Sequence, residues 1–290
     1  MTAGQPLAYR ADQLPRAANR QRVELGLQHF EERAARLEDA DLAGFCRALA
    51  EDRHGRALLE ALFANSPFLT DCALSDLAGL RDLLRRGPDA VLADQVARVR
   101  TDADTDDAAA CMRVLRQCRR RTALGAALAD IAGLWDLDRV TEALSAFADA
   151  AVDAALACQV RKYAARGQWE IADRENPTRQ CGIAVLAMGK LGARELNYSS
   201  DIDLIVIHDP ARAPYTGSKD FHDIAVRITR ELVRLLEERT KDGFVFRCDL
   251  RLRPDPSATP LALSFDAAET YYESLGQNWE RAAMIKARAH

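Results

Sequence analysis

Two incompatible periodicities divide the sequence. From about residue 12 to residue 166, apolar residues recur at helical spacing in a background rich in Ala, Leu and Arg. A chain patterned in this way buries its apolar stripe only as packed helices. Leu124, Leu128, Ile131 and Trp135 make one such stripe, and Val140, Leu144, Phe147 and Ala151 begin another after a break at Asp136 to Asp138. Further breaks fall at Asn65-Ser66-Pro67, at Gly87-Pro88 and in the acidic stretch Thr101 to Asp107, each with turn or helix-start chemistry. Gly167 to Cys181 is polar, carries Gly167 and Pro177 and keeps no period. The expected organisation is therefore a helical domain over 1–170 and a second domain over 171–290.

Beyond that boundary the periodicity becomes that of strands. Ile183 to Met188 and Leu204 to Ile207 are continuous apolar runs, as expected of buried strands. Between them and the next strand, Phe221, Ile224, Ala225, Ile228, Leu232, Leu235 and Leu236 mark the apolar face of a helix, with Ser218 as expected cap and Asp220 in its first turn. Asp242-Gly243 ends it. Phe244 to Leu252 alternates, with Phe244, Phe246, Cys248, Leu250 and Leu252 on one face and Val245, Arg247, Asp249 and Arg251 on the other. A strand near Leu261 to Ser264 and a final helix complete an α+β pattern.

Composition narrows the classes of function. With 48% hydrophobic and 29% charged residues the chain is globular rather than disordered. A formal net charge of -4 supplies no field that would draw it to nucleic acid or an anionic membrane surface. The seven cysteines are odd in number and form no Cys-x-x-Cys pair, so neither a disulfide framework nor a zinc site is expected, and a reducing cytoplasm fits. MTAGQPLAYRADQLPR, at the amino terminus, holds no apolar leader segment. No stretch reaches the ~18 uninterrupted apolar residues of a membrane span.

The stretch GKLGARELNYSSDIDL, Gly189 to Leu204, carries the chemistry. A side-chain period of two puts Asp201 and Asp203 on one face, ~7 Å apart along the strand, while Ile202 and Leu204 turn into the core. Asp249, on the charged face of its own strand, is the third acid. Carboxylate oxygens suit hard divalent cations, and two metals ~3.5–4 Å apart can share such a set. Three facing acids without a cation would repel. Gly189 and Lys190 add a turn and a cation at the same end of the sheet, where Ser199 and Ser200 offer hydroxyls to phosphate oxygens. Lys190, Arg251 and Arg253 either hold phosphate or pair with surface acids. The Walker A spacing is absent.

These residues resemble a known family. MGKLGARELNYSSDIDLIVIHD (Met188 to Asp209) resembles the metal-binding motif of the nucleotidyltransferase superfamily that includes DNA polymerase β, and within it the glutamine synthetase adenylyltransferase/adenylyl-removing family. The resemblance extends through DGFVFRCDLRLRP (Asp242 to Pro254) and YYESLGQNWERAAMIKAR (Tyr271 to Arg288), and weakly back through Leu62 to Leu69 and Arg119 to Leu137. Gly189-Lys190 stands where many superfamily members have Gly-Ser or Gly-Gly, a departure from polymerase-type nucleotide contacts. The resemblance implies a polymerase-β-like domain with a small mixed sheet after the helical region, and a chain that is a fragment truncated at its C-terminus.

It further implies a two-metal Mg²⁺ site on Asp201, Asp203 and Asp249, with ATP, ADP and orthophosphate as substrates or products. Glutamine synthetase and a PII-type signal protein are the implied partners. The chain resembles the amino-terminal, adenylyl-removing half, in which orthophosphate attacks tyrosyl-AMP to release ADP; tyrosine attacks ATP in the opposite module. Asp249 either exchanges a proton with the tyrosine oxygen or serves only as a ligand. A non-catalytic nucleotide-binding and PII-docking module, and a small-molecule nucleotidyltransferase, are the alternatives. Tyr271, Tyr272, Trp279 and Glu280 line a pocket or belong to a core. His208 and Cys248 read as structural, and Arg113, Arg116, Arg119, Arg120 and Arg121 as a solvated face.

Overall fold

The computed structural model describes Leu7, Tyr9 and residues 11–289, so most of the amino-terminal segment read above, and His290, lie outside the described residues. The chain forms two compact units, residues 1–95 with 120–143 and residues 96–119 with 144–290. This division differs from the boundary expected near residue 170, because two long helices, α7 (Ala108–Ile131) and α8 (Leu137–Ala164), contribute to both units.

The first unit contains α1 (Arg20–Ala35), α2 (Ala40–Glu51), α3 (Arg53–Asn65), α4 (Pro67–Ser75), α5 (Leu77–Arg86) and the start of α6 (Pro88–Asp102). Its helices start where side chains can satisfy the free N–H groups of a first turn. Asn19, Asp39, Asp52, Ser66 and Asp76 accept from the amides of Arg22, Leu42, Gly55, Leu69 and Gly79 at 2.7–3.2 Å. Pro67 sits in the first turn of α4, where its missing N–H costs nothing. The breaks at Ser66-Pro67, Gly87-Pro88 and Thr101 to Asp107 fall where expected.

In the second unit, β1 (Ile183–Ala187) and β2 (Ile202–His208) pair antiparallel, from Ile183 opposite His208 to Ala187 opposite Leu204. Between them lies one helical turn, α9 (Gly189–Gly192). After β2 come α10 (Phe221–Glu237), β3 (Cys248–Asp249), β4 (Ala262–Ser264), α11 (Phe265–Ser274), α12 (Asn278–Ala283) and β5 (Arg288–Ala289). Two strands pair parallel with β2 at separate stretches: β3 at Ile202 and Asp203, β4 from Val206 to His208. β5 runs antiparallel to β1 at Leu186 and Ala187. The result is a small mixed sheet in an α+β fold.

The core of this unit joins the apolar face of α10 to α8 and the sheet through Ile224, Ile228, Leu232, Phe147, Ile202 and Leu204, all at most 2% exposed. By length and composition α8 could cross a membrane, but 72% of its most apolar window is buried inside the protein, the pattern of a core helix. None of the seven cysteines forms a disulfide among the described residues.

Three expectations are corrected. Asp220, not Ser218, caps α10, accepting from the His222 amide at 2.7 Å. The alternating strand expected over Phe244 to Leu252 shortens to Cys248 and Asp249, because the amides of Val245 and Phe246 both donate to the Leu236 carbonyl and the Arg251 amide turns back onto Asp249. Val245 and Phe246 are both buried, which strict alternation forbids.

The third concerns Arg116, which is 0% exposed rather than on a solvated face. Its guanidinium donates to the carbonyls of Met112, Leu235 and Gly243 at 2.9–3.0 Å and to that of Glu238. Arg120 and Arg121 also have defined partners, pairing with Asp71 at 2.6 Å and Asp76 at 2.5 Å.

Candidate active site

Asp203 and Asp249 are register partners on the parallel strands β2 and β3, so their side chains project to the same face. Asp201 stands immediately before β2, and its charge acts on Asp203. Burial drives this choice of face: Ile202 and Leu204, between and after the acids, are both 0% exposed.

Backbone geometry seats Asp203 against the α9 turn. The Met188 amide donates to the Asp203 carbonyl at 2.9 Å. Gly189 has φ +54°, and a Cβ placed there would come within 2.8 Å of Asp203 Oδ2. Only glycine supplies both the left-handed conformation and the missing atom. Lys190 Nζ lies 3.4 Å from Ser200 Oγ, whose hydroxyl donates to Asn197. Ser199 is exposed and engages Arg247 through its carbonyl, at 3.0 Å from Nη2.

The three acids differ in their surroundings. Burial raises the proton affinity of Asp203, and the negative charges of Asp249 and Asp201 raise it further, with Arg251 and Lys190 opposing. Asp249 is shifted the other way, held below the ordinary carboxylate range by hydrogen bonds from the Arg251 guanidinium. Arg251 Nε and Nη2 reach its two oxygens at 2.5–3.0 Å. Asp201 accepts from Arg247 Nε at 2.5 Å. Asp203 is the one whose charge is met chiefly by more negative charge, and a divalent cation is the group that such a donor set suits. Among the described residues, no group of three His, Cys, Asp or Glu side chains is arranged ready to hold a metal. Carboxylate oxygens are the donors a hard divalent cation takes, and as placed Asp201 and Asp249 lie on arginines.

Arg253 is not brought to the acids. It is 9% exposed, and its guanidinium donates to the carbonyls of Leu250, Pro256, Thr259 and Pro260 at 2.8–3.3 Å. That arrangement ties the 254–260 loop together and uses the donors a phosphate would need. Arg251, two residues earlier, has a side chain 84% exposed beside Asp249.

Arg116 and Arg119, expected on a solvated face, are instead buried against the segments that carry the acids. Arg119 donates to the Tyr198 carbonyl at 3.1 Å and lies over the Phe246 ring, 5.2 Å from its centre, bracing the loop that leads to Asp201. Arg116 braces the other approach, the turn before Asp249. The signal was present, since Met112, Leu115, Cys118 and Ala123 surround these arginines with an apolar pattern at helical spacing. Arg247 belonged to the charged face of its segment yet was not singled out.

His208 lies at the opposite end of β2, 2% exposed, its Nε2 2.9 Å from His222 Nδ1. A cavity of about 910 Å³ opens at that end, beside Cys181, Ile183 and Phe265. The concave space and the acids are thus at different ends of the strand, and the carboxylate chemistry, not cavity size, locates the candidate site. Glu280 is buried, accepting from the Tyr271 hydroxyl at 3.0–3.1 Å and the Gln277 amide at 2.7 Å, while Trp279 is exposed.

The small mixed sheet thus carries an Asp-x-Asp pair, a glycine turn against it and a third aspartate in register. Comparison with known proteins gives the family. The family model for glutamate-ammonia ligase adenylyltransferase matches residues 57–290, and the chain belongs to that family. It is 45% identical to the bifunctional glutamine synthetase adenylyltransferase/adenylyl-removing enzyme of Bradyrhizobium diazoefficiens, over 99% of this chain and 28% of that protein. The enzymes of the same name from Xanthobacter autotrophicus and Caulobacter vibrioides are 46% and 47% identical over 87% and 79% of this chain, and 26% and 23% of theirs. The chain thus spans about a quarter of the length of these curated relatives.

Proposed function

We propose that residues 171–290 form a magnesium-dependent nucleotidyl-transfer module that acts on glutamine synthetase in the cytoplasm, removing AMP from a modified tyrosine by phosphorolysis. The observation that carries this reading is the register pairing of Asp203 with Asp249, next to Asp201, in a chain of this family. Asp201, Asp203 and Asp249 are the residues that would hold Mg²⁺. When bound, the metal supplies positive charge against the charge that develops on the phosphate oxygens.

In the proposed reaction an orthophosphate oxygen forms a bond to the adenylyl phosphorus as the bond from phosphorus to the tyrosine oxygen breaks, giving ADP and free tyrosine after protonation. Arg251 and Lys190 would neutralise the attacking anion. Asp249, held ionised by Arg251, is suited to act as a ligand and poorly suited to donate a proton. The phenolate therefore takes its proton from solvent.

The test is ADP formation from adenylylated glutamine synthetase with Mg²⁺ and orthophosphate. Asp203→Asn is expected to lower the rate about 100-fold or more, the scale on which fixed charge stabilises a transition state. Full phosphate- and Mg²⁺-dependent activity in that variant would overturn the assignment. Nucleotide binding without turnover in the unaltered chain would favour a non-catalytic regulatory module instead.

A further inference from the structure

We infer that Arg247 is an exchangeable counter-ion: it holds Asp201 while no divalent cation is bound, and it turns to the phosphate once a cation claims that carboxylate. This rests on the reading of Asp201, Asp203 and Asp249 as cation ligands. Arg247 Nε sits 2.5 Å from Asp201 Oδ1, and its Nη2 donates to the Ser199 carbonyl at 3.0 Å. The guanidinium therefore lies on one of the two oxygens that Asp201 would offer a cation. Two cations cannot occupy so short a span without repulsion.

Arg247 is also exposed enough to leave. Its side chain is 58% exposed, whereas Arg116 and Arg253 are buried among carbonyls. Arg251 is bound more closely, contacting Asp249 through Nε, Nη2 and its own backbone amide. A freed guanidinium is a planar fork of donors, the shape that phosphate oxygens take in pairs. One residue that neutralises a carboxylate in one state and an anion in the other couples the two ligands. Phosphate draws Arg247 away from Asp201 and thereby tightens cation binding, and the cation tightens phosphate binding by the same factor.

Mn²⁺ binding to the chain, followed by the electron paramagnetic resonance of the free ion with and without inorganic phosphate, tests this without any turnover. Arg247→Gln is expected to bind Mn²⁺ about three- to tenfold more tightly than the unaltered chain when phosphate is absent, because a nearby positive charge is gone. Phosphate should tighten Mn²⁺ binding several-fold more in the unaltered chain than in this variant. Arg247→Lys, which keeps the charge and loses the fork, should fall between.

Asp203→Asn separates the two levels of the argument. If it retains Mn²⁺ binding, the ligand assignment fails and the counter-ion role falls with it. If it abolishes binding while Arg247→Gln leaves affinity unchanged or weaker, the ligand assignment stands and the role of Arg247 is refuted. Circular dichroism of each variant checks that the fold is retained.

Discussion

The exposed edge around the aspartates and the interior behind it use the same side chain in opposite ways. At the edge, Arg247 and Arg251 meet carboxylates and keep side-chain exposures of 58% and 84%. In the interior, Arg116 and Arg253 meet backbone carbonyls at 0% and 9% exposure. A carbonyl cannot move without its backbone, so the inner pair staples chain segments. A surface carboxylate can exchange one cation for another, so the outer pair is available for chemistry. Sequence spacing does not separate the two uses: Arg251 and Arg253 are neighbours on a strand-like repeat with opposite fates.

Substitutions that break this contrast should be graded. The largest effect is expected for Arg116→Met, which strips four carbonyls of a buried donor. Stability should fall by about 3 kcal/mol, since hydrogen bonds to a charged group are individually worth ~1.5–3 kcal/mol and are partly recovered on relaxation. Urea denaturation measures it, and a loss below about 1 kcal/mol would mean the interior arginine is not a staple. Arg253→Met should cost about 2 kcal/mol by the same reasoning. It should also speed proteolytic nicking within 254–260, which the other variant should not do.

A smaller effect separates two of the acids by pH. Asp203 has a raised proton affinity in the folded chain, so the folded state binds more protons than the unfolded one between their two titration points. Stability from this group is therefore fully present below the ordinary value of 3.8 and is lost as pH rises through the folded value. Asp249 is shifted down, and its contribution is present above 3.8 and lost as pH falls. Asp203→Asn should consequently stabilise the metal-free chain at pH 7 and lose that advantage near pH 3, whereas Asp249→Asn should destabilise at pH 7. Thermal melts at the two pH values decide, and equal behaviour of the two variants would remove the electrostatic distinction. Smallest of all, Arg251→Gln should leave stability nearly unchanged, as for other exposed ion pairs. The same variant should weaken binding of inorganic phosphate measured by calorimetry, so that function and stability part company at this residue.

Much of the fold was legible because burial repeats. The apolar runs located β1 and β2 to within a residue or two, and the breaks read at Asn65-Ser66-Pro67 and Asp136 to Asp138 are where Ser66 and Asp136 accept from first-turn amides. The helix before β3 was legible in its apolar face but not in its first residue, since Ser218 and Asp220 both suit a cap and only the chain path selects Asp220. Phe244 to Leu252 misled because alternation describes side chains, whereas strand extent depends on where the amides go. Two of those amides go to one carbonyl of α10. For the site, Asp201 and Asp203 are local and could be read from spacing. The pairing of Asp249 with Asp203, and of Arg247 with Asp201, crosses about forty-six residues of chain and is decided by packing that no short motif encodes.

β3 is only two residues long, and its ladder to β2 consists of the Ile202–Cys248 and Asp203–Asp249 steps, while β1 and β2 are zipped over five. Unfastening so short a seam exposes few amides, so the last aspartate can part from the other two without the hairpin coming undone. Amide exchange should show this as early deuteration around Cys248 and Asp249 set against slow exchange at Val185 and Val206, with the trio assembled only for as long as that seam stays shut.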